Sequence, residues 1–335
     1  MSVSPMLRRL LWPLSLVYGF GVRVRLWLYA NRWLKQERLN APVISVGNLT
    51  VGGTGKTPVV IWLAEKFLAD GKRVAILSRG YRGKKGTSDE IELMKFRLQG
   101  RASFGVGKNR FAEGHRIESE RHIDVFLLDD GFQHLHLARD LNILLMDASR
   151  PLAGESLLPA GSLREPVTAM SRANLIIFTR AETASGTLDA IRKLNQFPVF
   201  AASTRLLGFR RFGGDVTLLT SSEIGAGPFF AFCGLGNPDA FLRDLRTWGL
   251  PICGQLIFPD HHRYTERDIL EISKTAKNSG ANAFVTTEKD AQNLAGLQFA
   301  EAQVYIAVID LDVTPDADFR NVLDQTLAAG AGAAA

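Results

Sequence analysis

The stretch Thr50-Val51-Gly52-Gly53-Thr54-Gly55-Lys56-Thr57 decides the fold. An apolar run, Pro42-Val43-Ile44-Ser45-Val46-Gly47, precedes it and predicts a buried strand. Pro58 to Leu68 follows it and predicts a helix with proline in its first turn. Strand, glycine-rich loop, Gly-Lys-Thr and helix is the order that a phosphate cradle requires. Glycines let backbone N–H groups close around phosphate oxygens, and the helix N-terminus adds the positive end of its dipole. In such a loop Lys56 reaches the β- and γ-phosphates and the Thr57 hydroxyl binds Mg²⁺. The expected nucleotide-binding residues are therefore Thr50, Val51, Gly52, Gly53, Thr54, Gly55, Lys56 and Thr57. The usual pattern opens with glycine, and Thr50 stands in that place.

Working outward, further apolar runs follow at intervals that leave room for helices. Arg73–Ser78, Asp124–Asp129, Leu141–Asp147 and Ala173–Thr179 each predict a strand. Continuous apolar runs indicate parallel strands covered on both faces. The expected fold is α/β: a P-loop NTPase-like parallel sheet with helices on both faces, occupying residues 41–198. Phe200 to Phe212, then Gly213-Gly214-Asp215, then Val216–Leu219 predict a hairpin, read as a two-stranded linker over 199–220. Phe229–Cys233, Ala283–Thr287 and Val304–Ile309 predict strands of a smaller α/β domain over 221–325, with helices at Asp239–Trp248 and Thr265–Ser279. The Ala/Gly run over 326–335 predicts a disordered tail.

The chain of 335 residues is 46% hydrophobic, ordinary for a globular protein, and its net charge of +6 points to an anionic partner. Cys233 and Cys253 lie among apolar residues and are expected as core thiols. The first forty residues interleave Leu10, Trp12, Phe20, Trp27 and Trp33 with Arg8, Arg9, Arg23, Arg25, Arg32, Lys35 and Arg38, against the single acid Glu37. A membrane span there would place Arg23 and Arg25 near its middle, at a cost of about 3 kcal/mol each, and Pro13 would interrupt the helix. A basic amphipathic helix lying on an anionic membrane surface fits better, each arginine contributing about 1 kcal/mol. The competing expectation is an amphipathic helix packed on the protein's own core.

Asp129-Asp130 closes an apolar strand, where a nucleotide site needs a carboxylate to hold Mg²⁺ opposite Thr57. Ser78-Arg79-Gly80-Tyr81-Arg82-Gly83-Lys84-Lys85 alternates glycines with cations, suited either to gripping phosphate or to standing in solvent. His134 and His136 have the spacing to share a strand face, but without cysteines or further histidines a structural role is the expectation. Asp260-His261-His262 offers a His beside an Asp, either an acid–base dyad or a structural loop. Thr286-Thr287-Glu288-Lys289-Asp290 reads as a helix cap with solvated charges.

Together these blocks resemble the tetraacyldisaccharide 4'-kinase family of lipid A biosynthesis. The resemblance is carried in order by Ser45–Pro58, Ser78–Tyr81, Asp129-Asp130-Gly131-Phe132-Gln133-His134, Leu163-Arg164-Glu165-Pro166, Phe258-Pro259-Asp260-His261 and Thr287-Glu288-Lys289-Asp290-Ala291. It implies an enzyme that transfers the γ-phosphate of ATP to the 4'-hydroxyl of a membrane-bound tetraacyldisaccharide 1-phosphate, giving lipid IV-A. It implies ATP and Mg²⁺ as cofactors, an anionic lipid disaccharide and the membrane surface as partners, and a peripheral place on the cytoplasmic face of the bacterial inner membrane. The implied catalytic residues are Lys56, Asp130, Asp89 as base and His261 as its orienting partner. Thr57, Asp129, Asp130 and Glu165 are the implied metal ligands; Arg79, Tyr81, Arg110 and Arg164 the implied substrate contacts. The family's catalytic acid lies in a Gly-Asp-Glu-Pro block, whereas here Ser88-Asp89-Glu90-Ile91 lacks both the Gly and the Pro.

The alternative reading is a membrane-associated deviant-Walker ATPase acting as a switch or positioning protein. That class carries a signature lysine where this chain has Val51. A GTPase would need a guanine-reading motif that Thr179-Arg180-Ala181-Glu182 barely resembles. A nucleic-acid binder is disfavoured because the positive charge gathers beside lipid-like aromatics at one end. Protein partners are left open by the sequence.

Overall fold

The computed structural model describes residues 5–80, 88–150, 152, 154–181, 197–294, 296–299 and 302–333. The chain forms two compact units: 1–86, 97–203 and 311–335 make the first, 87–96 and 204–310 the second.

In the first unit, helix α1 (Pro5–Ala30) leads to β1 (Val43–Asn48), α2 (Lys56–Ala69) and β2 (Val74–Ser78). After α3 (Asp89–Leu98), whose residues 89–96 belong to the second unit, come β3 (Ser103–Val106), α4 (Arg110–Glu120), β4 (Val125–Asp129), β5 (Leu141–Asp147), β6 (Leu175–Thr179) and β7 (Val199–Arg211). The strand order is β3-β2-β4-β1-β5-β6-β7. Strand β1 lies parallel between β4 and β5, with Val46 opposite Asp129 and Asn48 opposite Leu145. All six β1 residues are buried, which is why the strand reads as an unbroken apolar run and not an alternating one. The chain leaves β1 towards β2 on one side and later returns to β5 on the other. That reversal of direction opens a crevice at the carboxyl end of β1.

A second feature keeps that crevice close-fitting. A Cβ at Gly47 would lie 2.6 Å from the Phe132 backbone nitrogen and 2.7 Å from its Cβ. Only glycine lets the Asp129–Phe132 turn settle on the end of β1.

The second unit holds β8 (Phe229–Cys233), α5 (Pro238–Thr247), β9 (Ile252–Ile257), α6 (Glu266–Asn278), β10 (Ala283–Thr287), α7 (Glu288–Asn293) and β11 (Val304–Thr314). Its strand order is β7-β11-β10-β8-β9. Helix α6 starts at a capping box, in which Thr265 and Asp268 satisfy each other's backbone N–H groups. An aromatic core of Phe230, Phe232, Tyr264 and Phe284 fills the space beneath.

Several local expectations change. Residues 216–219 form no strand, and Leu219 meets the β7 residue Phe209 only through an isolated antiparallel bridge. Both β7 and β11 run from one unit into the other. The Ala/Gly run does not stop at 326: helix α8 (Asp316–Ala333) continues through it, as alanine's high helix propensity allows. Phe319 of α8 packs on Trp62 and Phe200. Helix α1 runs through Pro13 without ending there. Cys233 is buried, but Cys253 is exposed, because β9 alternates inward and outward residues.

Gly47→Ala is expected to cost about 2 kcal/mol, the scale of overpacking against atoms that cannot yield. Urea unfolding should show a lower midpoint at unchanged slope, and the KM for ATP should rise with it.

Candidate active site

The glycine-rich loop leaves β1 in an extended conformation. Thr50 bridges Leu163 antiparallel, and the Val51 N–H donates to the Ser162 carbonyl at 2.8 Å. An L-residue suits that geometry, so glycine is not required at position 50. It is required further on, where Gly52 has φ 110° and Gly55, the residue that caps α2, has φ 80°. The Thr179 hydroxyl donates to the Thr54 carbonyl at 3.0 Å and holds the loop from the end of β6. Helix α2 then opens on Lys56 and the buried Thr57. The Lys56 ammonium lies 3.4 Å from Asn48 Oδ1 and 3.5 Å from Asp130 Oδ1.

The paired acids have separate environments. Asp129 is buried and accepts from the Ser78 hydroxyl at 2.9 Å. Asp130 adopts a left-handed backbone, φ 48°, which turns it out of the strand. Its two oxygens accept from Arg164 Nη1 at 2.8 and 2.9 Å. Burial alone would raise the Asp130 pKa, but the charges of Lys56 and Arg164 outweigh it and hold the carboxyl below its ordinary value. Glu165 is buried and its carboxylate is bound by Arg172, which also covers the Phe132 ring at 4.6 Å. Thr57, Asp129 and Asp130 offer the hydroxyl and carboxylate oxygens that Mg²⁺ takes beside phosphate and water. Among the described residues no group of three or more His, Cys, Asp or Glu could by itself hold a metal.

Behind the acids sits a cationic wall. Arg110 is 7% exposed, donates to His134 Nδ1 at 3.2 Å, and its Nε finds no partner. A guanidinium can only donate, so His134 carries its proton on Nε2, which is also buried without a partner. Burial, then the charges of Arg110 and Arg139, push the His134 pKa down to about 3. Burial likewise lowers the pKa of Arg110, helped by the charge of exposed Arg79. Tyr81 and the rest of the basic loop, 82–85, lie outside the described residues. His136 meets the Lys35 carbonyl at 3.3 Å.

Asp89 and His261 both belong to the second unit. Asp89 is the first residue of α3, and both its oxygens lie within reach of His261 Nδ1, at 2.9 and 3.0 Å. Asn293 donates to the same carboxylate at 3.3 Å. Burial raises the Asp89 pKa, yet the His261 hydrogen bond and the Lys289 charge prevail and hold it low. The Asp89 hydrogen bond in turn raises the His261 pKa above its ordinary value. A carboxylate and an imidazole within hydrogen-bond reach of each other can pass a proton between them.

Asn48 and Ser78 beside the glycine loop and the acids, and Lys289 beside Asp89, were given no site role by the sequence. Thr287 does cap α7, accepting from the Asp290 N–H at 3.1 Å. The charges after it are not solvated: Glu288 and Asp290 are buried, and Lys289 faces Asp260. The available signal was position, since polar residues at the carboxyl end of a parallel strand line a crevice.

Comparison with known proteins identifies relatives of the chain. A model of the family described as tetraacyldisaccharide-1-P 4'-kinase matches residues 7–328. A tetraacyldisaccharide 4'-kinase of Geobacter metallireducens is 37% identical, over 95% of this chain and 98% of its own. One of Pelobacter propionicus is 40% identical, over 95% and 92%. The crystal structure of LpxK from Aquifex aeolicus in complex with ATP superposes with a TM-score of 0.77 at 30% identity, covering 96% of this chain and 99% of that one.

The His134 environment makes a pH prediction. Unfolded, the ring takes a proton near 6.5; folded, only near 3. Its contribution is therefore complete above about pH 6.5 and falls as the pH drops below that. His134→Gln, which accepts from Arg110 without titrating, should lose less Tm than the wild type between about pH 7 and about pH 5. Equal losses would show that the ring is not held neutral.

Proposed function

The chain belongs to the tetraacyldisaccharide-1-P 4'-kinase family, and on that premise we propose how its residues phosphorylate the 4'-hydroxyl of tetraacyldisaccharide 1-phosphate with ATP. The observation that carries the reading is the Lys56 ammonium at the mouth of the glycine loop, facing Asn48 and Asp130. Thr50 to Thr57 wrap the triphosphate, and Lys56 turns from Asp130 to the β- and γ-phosphates. Thr57, Asp129 and Asp130 would hold Mg²⁺, which would supply neutralisation of the phosphate charge. Glu165, given over to Arg172, has no part in that set.

The 4'-oxygen of the acceptor forms a bond to the γ-phosphorus as the bond to the ADP oxygen breaks. Its proton passes to the Asp89–His261 pair. Arg79, Tyr81, Arg110 and Arg164 bind the anionic acceptor or the transferring phosphoryl group. Positioning and charge neutralisation supply most of the rate in such a transfer.

Helix α1 brings the enzyme to its insoluble substrate. One side is tied to its own unit: Ser15 donates to the Leu157 carbonyl at 3.0 Å, Tyr18 to that of Arg164 at 2.8 Å and Arg25 to that of Gln133 at 3.0 Å. The other side exposes Leu10, Trp12, Val17 and Phe20. No described helix is long and apolar enough to cross a membrane. The proposed location is peripheral, on the cytoplasmic face of the bacterial inner membrane, where ATP is available.

Incubation with labelled ATP and the tetraacyl disaccharide, followed by lipid extraction, should give a labelled lipid. Lys56→Ala should abolish that product while leaving the melting temperature within a few degrees; retained activity removes Lys56 from the mechanism. Trp12→Ser with Phe20→Ser should lower the fraction bound to anionic vesicles several-fold, each side chain contributing about 2 kcal/mol when buried. Unchanged partitioning would leave α1 as a purely structural helix.

A further inference from the structure

Lys289 has no part in the reaction as described so far, yet it sits beside the acid–base pair. Its side chain is 16% exposed, with Nζ 2.8 Å from Asp260 Oδ1 and 3.8 Å from Asp89 Oδ2. An ammonium is buried this far only where carboxylates compensate it. We propose that Lys289 is a positioning residue for phosphoryl transfer, clamping the Asp260–His261 loop to the first turn of α3 and keeping the Asp89 carboxylate facing His261. The inference rests on the reading of Asp89–His261 as the proton acceptor.

Two features support it. His261 has a left-handed backbone, φ 60°, unusual for a residue with a side chain. It is fixed from both sides: Asp260 is bound by Lys289, while His262 bonds Asp268 at 3.1 Å and stacks on Phe258 at 4.6 Å. The second feature is charge. With His261 neutral, Asp89, Asp260 and Lys289 sum to one negative charge, and a proton arriving on the pair neutralises the cluster. Without Lys289 the same groups would carry two negative charges and hold that proton too firmly to release it. Glu90 of α3 acts on Lys289, Lys289 acts on the buried Asp290 of α7, and Asn293 donates to Asp89. The Lys289 charge lowers the pKa of both Asp89 and His261.

The test uses the full-length enzyme in detergent micelles, measuring kcat, KM and kcat/KM across pH, with melting temperatures and the affinity for a fluorescent ATP analogue. Lys289→Met should lose about tenfold or more in kcat with nucleotide affinity little changed, marking an interaction made in the transition state. Its acid limb should move up by about half a pH unit or more, since a nearby positive charge is gone. Lys289→Arg should return the limb to its place. Asp260→Asn, which removes a negative charge, should move the limb down, and it keeps the test alive if Lys289→Met does not fold. A loss of activity that tracks the melting temperature with an unmoved limb in all three variants overturns the proposal. So does wild-type activity in Lys289→Met while Asp89→Asn is inactive. Full activity in Asp89→Asn would instead bring down the dyad reading, and this inference with it.

Discussion

Lys56 stands 3.5 Å from Asp130, and much of the first unit serves to keep those two charges there. The lysine is set by the left-handed turn at Gly55 and the start of α2. The acid is set by the left-handed turn at its own Cα and by the bare Gly47, against which the Phe132 backbone rests. Arg164 holds the acid from the far side, and its carbonyl receives the Tyr18 hydroxyl of α1. Lys56 is thus connected through Asp130 and Arg164 to the helix that faces outward with its apolar side. A cation at the mouth of a glycine loop is useful only while no carboxylate neutralises it for good. Here Arg164 shares Asp130, so the lysine can exchange its partner for phosphate at modest electrostatic cost.

Much of this was legible in the sequence, for identifiable reasons. Nine of the ten runs read as strands became strands, since continuous burial leaves a strong mark, and only Val216–Leu219 did not. Strands β3 and β9 escaped. Ser103–Val106 has only four residues, and Ile252–Ile257 lies at a sheet edge with alternating exposure and a glycine in its middle. The loop from Thr50 to Thr57 was readable because phosphate binding is written in the backbone and needs glycine at fixed places. Lys289 was not, because local sequence cannot tell a solvated lysine from one enclosed by carboxylates 29 and 200 positions earlier in the chain. The same holds for Glu165, which the resemblance implied as a metal ligand: only the fold brings Arg172 to it.

Helix α1 packs on its own unit and still keeps apolar side chains exposed, so one of the two expectations set out at the start does not exclude the other. A helix packed on its own core and a helix presented to a membrane are alternatives only if the apolar surface is a single stripe. This helix has more apolar surface than one contact can cover. Ser15, Tyr18 and Arg25 spend their polar groups on the unit beneath, leaving Leu10, Val17 and Phe20 outside. An exposed patch of that kind is rare on soluble monomers without a function. Its arginines do not all serve the same purpose: Arg8 and Arg25 donate to carbonyls of the unit, so those two charges also fix the helix in place.

Both clusters of charge are partly buried, and burial of ions seldom increases stability over apolar residues of the same size. What such clusters provide is a set of charges that need not reorganise when a reaction redistributes them. The first unit holds Lys56, Arg110 and Arg164 around two carboxylates, a surplus of positive charge suited to a polyphosphate. The second unit holds Asp89, Asp260 and Lys289 around a histidine, a surplus of negative charge suited to a proton. The paired acids illustrate the same economy in small. Asp129, bonded to Ser78, keeps a fixed place inside the sheet, while Asp130 is turned outward, where its partner can change. One residue's difference in backbone angle thus gives the two adjacent carboxylates different partners, Ser78 for one and Arg164 with Lys56 for the other.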